Sequence, residues 1–126
     1  MIGVDLQLAL RHLRVMDFAE AGAVWQLGRS LGVTIGAAVG IGTDSYGELD
    51  AYLAPEVGLH HYSGRWSSTT DTTDRAFVGL RGGVTWHVGP GRHFGFGVTG
   101  MTRTDVSHSS VGGPMVGLAL HVALAF

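Results

Sequence analysis

The chain has 126 residues, enough for one domain, and is 45% hydrophobic with a mean hydropathy of +0.25, high for a protein that covers its own surface with polar groups. Its net charge is −2 and its basic residues, all arginine, are scattered, which excludes an electrostatic footprint for nucleic acid. With no cysteine, disulfides and thiolate metal centres are excluded as well.

A membrane-spanning helix needs roughly 18 or more consecutive apolar residues, and the longest nearly apolar runs, 31–42 and 115–126, fall short of that. The opening Met1-Ile2-Gly3-Val4-Asp5 has neither the basic nor the apolar region of a signal peptide, so we expect a processed form or a fragment. The absence of Lys and Asn argues for a natural sequence over an idealised design.

Taken in chain order, the elements read as strands. Val4, Leu6, Leu8 and Leu10 alternate with Asp5, Gln7, Ala9 and Arg11, and a short connection at 14–17 leads to a strand over 19–27 with Trp25 on its apolar face. In 31–42 the odd positions Leu31, Val33, Ile35, Ala37, Val39 and Ile41 are apolar and the even ones are Gly, Ala or Thr. After a turn at 42–47, Leu49, Ala51, Leu53, Val57 and Leu59 oppose Glu48, Asp50, Tyr52, Glu56 and His60. A long Ser/Thr/Asp-rich loop is expected at 63–74. Ala76, Val78, Leu80, Val84 and Trp86 then oppose Phe77, Arg81, Thr85 and His87, and Gly89-Pro90-Gly91-Arg92 forms a turn. Phe94, Phe96 and Val98 alternate with Gly95, Gly97 and Thr99, a second long loop follows at 103–113, and 116–126 puts Val116, Leu118, Leu120, Val122, Leu124 and Phe126 on one face.

About seven strands result, most near the roughly 9–11 residues that cross a bilayer when tilted. Alternation alone also suits a soluble ligand-binding barrel, so the second face decides. That face is Gly, Ala and Thr in 31–42, and carries only His121 as a polar group in 116–126, too little to keep a small barrel in water. The opposite arrangement is self-consistent: apolar residues meet lipid, closure satisfies the backbone, and small residues fit a narrow interior. The expected fold is therefore an all-β, antiparallel up-and-down transmembrane barrel occupying residues 1–126. Asp5, Arg11, Glu48, Asp50, Glu56 and Arg81 are expected to form an interior polar network, since unpaired charges there carry a penalty of several kcal/mol. Trp86, Phe94 and Phe126 are expected at one membrane interface and Trp25 and Tyr62 at the other.

The ending Val122-Ala123-Leu124-Ala125-Phe126 resembles the last strand of the bacterial outer-membrane β-barrel superfamily, which alternates apolar residues and ends in Phe. The resemblance implies an outer-membrane location, a lipid bilayer around the barrel and recognition of the C-terminal strand by the assembly machinery. Single-chain bacterial barrels have even strand numbers. Seven strands therefore imply an eight-strand class lacking an N-terminal strand, or one supplied by another chain.

Few residues carry chemistry. His60 and His61 are adjacent and point to opposite strand faces, so one ion cannot take both. His87 and His121 share the interior face, where hydrogen-bonded histidine is the common outcome. No metal or cofactor is expected. His61-Tyr62-Ser63 puts an imidazole and a hydroxyl two apart on the outward face. It resembles the His-x-Ser-Asn motif of lipid A deacylases, with Gly64 in the Asn position. The resemblance implies His61 as base, Ser63 as nucleophile and Asp71 or Asp74 as orienting acid. That alternative requires His61 and Ser63 to converge and an Asp to fold back. We expect neither, and read the protein as a barrel with a structural or loop-mediated surface role, with the esterase and a soluble ligand barrel as alternatives.

Overall fold

The computed structural model of the protein describes residues 1–24, 30–43, 48–66, 69–106 and 114–125, with the backbone alone described at 23–24, 30, 64–66 and 69–73. The strands are β1 (Ile2–Leu10), β2 (Leu13–Val24), β3 (Ser30–Gly42), β4 (Leu49–Trp66), β5 (Thr69–Val88), β6 (Phe94–Asp105) and β7 (Met115–Ala125). They pair in chain order and close into a seven-stranded barrel. Each consecutive pair is antiparallel.

The closing seam is parallel: Ile2 to Gln7 of β1 lie beside Leu120 to Ala125 of β7. An odd number of strands joined by antiparallel steps leaves the last running in the direction of the first, so closure at seven requires this. The seam departs from the wholly antiparallel barrel expected above, and the ring closes within the described residues.

Strand stagger is steep. A line drawn across the ladders from Leu124 passes through Leu6, Asp17, Ala37, Val57 and Val78 to Thr104. It begins beside the last residue of β7 and ends beside the last of β6, at opposite rims. Strong tilt and shear of this kind accompany closure of a small barrel.

Two connections depart most from the sequence reading. The first turn is at Arg11 and His12 instead of 14–17, because Leu10 pairs with Leu13 in a two-residue hairpin and Arg11 takes a positive φ of 52°. Residues 14–17 therefore belong to β2. The segment 63–74 is a hairpin more than a loop: pairing continues from Ser63 opposite Thr72 up to Trp66 opposite Thr69. Its threonines are β-branched and suit an extended backbone. At Pro55, β4 keeps its register, with Ala38 opposite Glu56 and Ile41 opposite Leu53, although the pairing to β3 lapses between them. Proline removes one ladder donor there without ending the strand. The turn at 89–92 is where the sequence places it, with Gly89 at φ 84° and Gly91 at φ 82°.

The two faces of the wall are opposite in chemistry. The outward positions of the strands are dominated by aliphatic and aromatic side chains, among them Leu6, Leu8, Ile35, Val39, Leu53, Val57, Leu80, Val98, Leu118 and Leu120. Inward positions carry most of the strands' charged side chains together with Met16, Phe18, Tyr52, Phe77 and Met101. Glycine makes room for the rings: a Cβ on Gly58 would lie 2.6 Å from Cζ of Phe77, so only glycine lets that ring lie flat on the wall.

Candidate functional site

The inward side chains form one polar axis through the barrel. Arg81 on β5 is fully buried, and its Nη2 donates to Asp5 on β1 (3.1 Å to Oδ2) and to Glu20 on β2 (3.2 Å). Arg103 on β6 holds Glu56 of β4 in a two-point contact, Nε to Oε1 at 2.6 Å and Nη2 to Oε2 at 3.0 Å, and forms an ion pair with Glu20 at 2.8 Å. The Phe18 ring lies beneath both cations, 4.0 Å from the Arg81 guanidinium carbon and 5.4 Å from that of Arg103, a cation–π arrangement. Five strands are thus tied together by one cluster.

A second cluster lies nearer the turn end. Arg14 donates to the carbonyls of Arg11 (2.5 Å) and Thr43, and stands 3.6 Å from Asp50, which His87 approaches at 2.9 Å. Between the clusters, His121 bridges two hydroxyls, with Nε2 at 2.9 Å from Thr85 and Nδ1 at 2.8 Å from Thr99, and Tyr52 bonds the same Thr99 at 2.7 Å. Towards the other end His60 is hydrogen-bonded to Thr34 at 2.6 Å and stacked on Phe77 at 4.1 Å between centroids.

Among the described interior residues, the carboxylates of Asp5, Glu20, Asp50 and Glu56 meet the guanidiniums of Arg14, Arg81 and Arg103. The acids outnumber the guanidiniums by one, and His87 lies beside Asp50 at 2.9 Å. This is a cross-linked filling in which each of these guanidiniums has an acid within ion-pair distance. Such an arrangement ties the strands of the wall together across the interior.

The sequence-predicted network is partly assembled here. Asp5, Asp50, Glu56 and Arg81 are buried in it. Arg11 and Glu48 are not: Arg11 occupies the exposed first turn, and Glu48 precedes β4, exposed, with its carboxylate 4.0 Å from Arg92. Both lie where the strands have ended and alternation no longer sets direction. Arg14, Glu20 and Arg103 were missed, two of them because 14–17 and 103–113 were assigned to connections. Parity carried the signal, since Arg14 and Glu20 are in phase with Met16 and Phe18, and Arg103 with Thr99 and Met101.

Of the expected interface aromatics, Trp86 and Phe94 face outward near one rim, joined by Phe96, whose ring lies 5.3 Å from that of Trp86. Tyr62 faces inward, buried, its hydroxyl 3.6 Å from Sδ of Met115. It is in phase with His60, which lies on the interior face. Trp25 and Phe126 lie outside the described residues.

At the other rim His61 faces outward and donates from Nδ1 to Oδ1 of Asp74 at 2.5 Å. The two are directly opposite across β4 and β5, which corrects the expectation that no carboxylate reaches His61. Both side chains are largely exposed, at 57% and 82%. Ser63 is on the same face one step further along β4, and no hydrogen bond joins it to His61 among the described residues. The Asp71 side chain lies outside the described residues. A base with its orienting acid is present, and a nucleophile in contact with that base is not, among the described residues. Compared with family models, curated proteins and solved structures, the chain has no match.

Proposed function

We propose that the protein is an integral β-barrel of the bacterial outer membrane, with a filled polar interior and a structural or surface-interaction role exerted through the connections at the His61 rim. The observation that carries this reading is the inversion of the wall: buried ion pairs inside, aliphatic side chains outside. In water such an outer face would be an association surface over its whole extent. In lipid it meets a solvent of its own polarity, and closure leaves no backbone group unpaired at an edge. The bilayer is then the principal partner, the C-terminal strand is the segment offered to the assembly machinery, and a strand from another chain could enter only at the parallel seam.

The experiment is solubility and structure together. The protein should require detergent or lipid to remain dispersed and give β-rich circular dichroism in either. A monodisperse monomer in detergent-free buffer would overturn the reading in favour of a soluble barrel.

A second reading, an esterase acting on lipid acyl chains, is favoured by the His61 to Asp74 contact alone. It requires the Ser63 hydroxyl to reach Nε2 of His61. The structural reading expects lipid A to keep its acyl chains when the protein is expressed in a Gram-negative host. Loss of one chain by mass spectrometry, abolished in Ser63→Ala, would establish the esterase instead.

A further inference from the structure

Asp17 breaks the pattern of the outer wall. It lies on β2 between Val15 and Ala19 and faces outward, level with Leu6 of β1 and Ala37 of β3. It stands four residues from Leu13, the first residue of the strand. At about 3.3 Å per residue and a tilt of roughly 35–45°, that is about 10 Å above the turn, well inside an apolar band about 25 Å tall. No ion pair or hydrogen bond holds its carboxylate among the described residues. The other acids described on the strands are paired in the interior or stand near a rim.

Its surroundings have a shape. The next outward positions on β2 are Ala19 and Ala21, flanked by Val4 of β1 and Ile35 of β3, with Ala37 beside the carboxylate. Small side chains between larger ones leave a shallow trough along β2 that leads to Asp17. A carboxylate at that depth is costly in lipid unless it meets a cation or a donor, and small residues let another apolar surface approach it closely.

Resting on the membrane reading above, we propose that the β2 trough is a lateral docking site for a membrane-embedded partner that presents a basic side chain to Asp17. Charge complementarity selects this occupant. A second copy of the barrel turned to the same face would bring carboxylate against carboxylate, and the described outer wall offers no arginine at that level.

The test uses the full chain in phosphatidylcholine vesicles with a labelled Leu/Ala transmembrane peptide carrying one central Arg, and the same peptide with Leu there. Insertion is checked first by circular dichroism and protease resistance. Energy transfer should report association of the Arg peptide about tenfold stronger than that of the Leu peptide, and Asp17→Leu, which should insert at least as well, should abolish the difference. A barrel that fails to insert would remove the membrane reading and this proposal with it. A barrel that inserts but does not discriminate between the peptides, or retains discrimination in Asp17→Leu, would overturn the docking site alone. Self-association of the barrel that Asp17→Leu removes would also overturn it, by making the occupant a second copy.

Discussion

Arg81 illustrates how much a single buried side chain holds here. Its guanidinium contacts acids from β1 and β2 and approaches Glu56 of β4 at 3.8 Å, so removing it leaves the buried Asp5 without a cation among the described residues and Glu20 and Glu56 with Arg103 alone. Breaking a buried pair in this way costs about 3–5 kcal/mol, far more than the pair adds over an apolar replacement of both partners. Arg81→Met should therefore lower stability by that amount in urea unfolding from lipid vesicles. Arg11→Ala, in the exposed turn, should change it by less than about 0.5 kcal/mol. Equal effects would mean that the interior network does not bear on stability. The contrast also separates two residues that alternation alone put on the same face: Arg11 lies just beyond the end of its strand, and Arg81 is well inside one.

At the scale of the strand, outward position and depth together should set tolerance to charge. Leu120 on β7 faces outward, 60% exposed, in the middle of its strand, whereas Thr104 faces outward near the end of β6. Arginine near the midplane of a membrane barrel costs about 2–4 kcal/mol, falling to about 0–1 near the interface. Leu120→Arg should therefore reduce the folded fraction in vesicles strongly and Thr104→Arg little. Equal folding yields for the two would contradict a lipid-facing outer wall. The same strands account for what was legible beforehand. Period two in β3 and β7 is uninterrupted and matches the strands observed, while β2 begins earlier than expected because 14–17, read as a connection, is extended strand. Arg14 is stable inside the barrel only because Asp50 and the carbonyls of Arg11 and Thr43 converge on it from another strand and from the turns.

For the molecule as a whole, the axis is occupied by the Arg14, Arg81 and Arg103 clusters, the His121 bridge and the rings of Phe18 and Phe77. A narrow lumen filled by cross-linked side chains should conduct poorly. Planar bilayers holding the protein should show no large, stable single-channel steps. Such steps would indicate that the interior opens, or that several chains build a wider barrel. Closure contributes to this tightness: the parallel seam between β1 and β7 completes the ring without a further strand.

Alternation along each segment determined, from sequence alone, that this chain is all-β and that its apolar and polar residues face opposite ways, because strand geometry sends neighbouring side chains to opposite sides whatever the partners. The same local rule placed Asp5, Asp50, Glu56 and Arg81 on the interior side. Tertiary structure alone decided which acid meets which base, since Arg81 lies 76 residues from Asp5 and Arg103 47 from Glu56, and only closure and stagger bring them together. It likewise decided the parallel seam and the pairing of His61 with Asp74. Each depends on the register between strands, which periodicity within a strand does not encode.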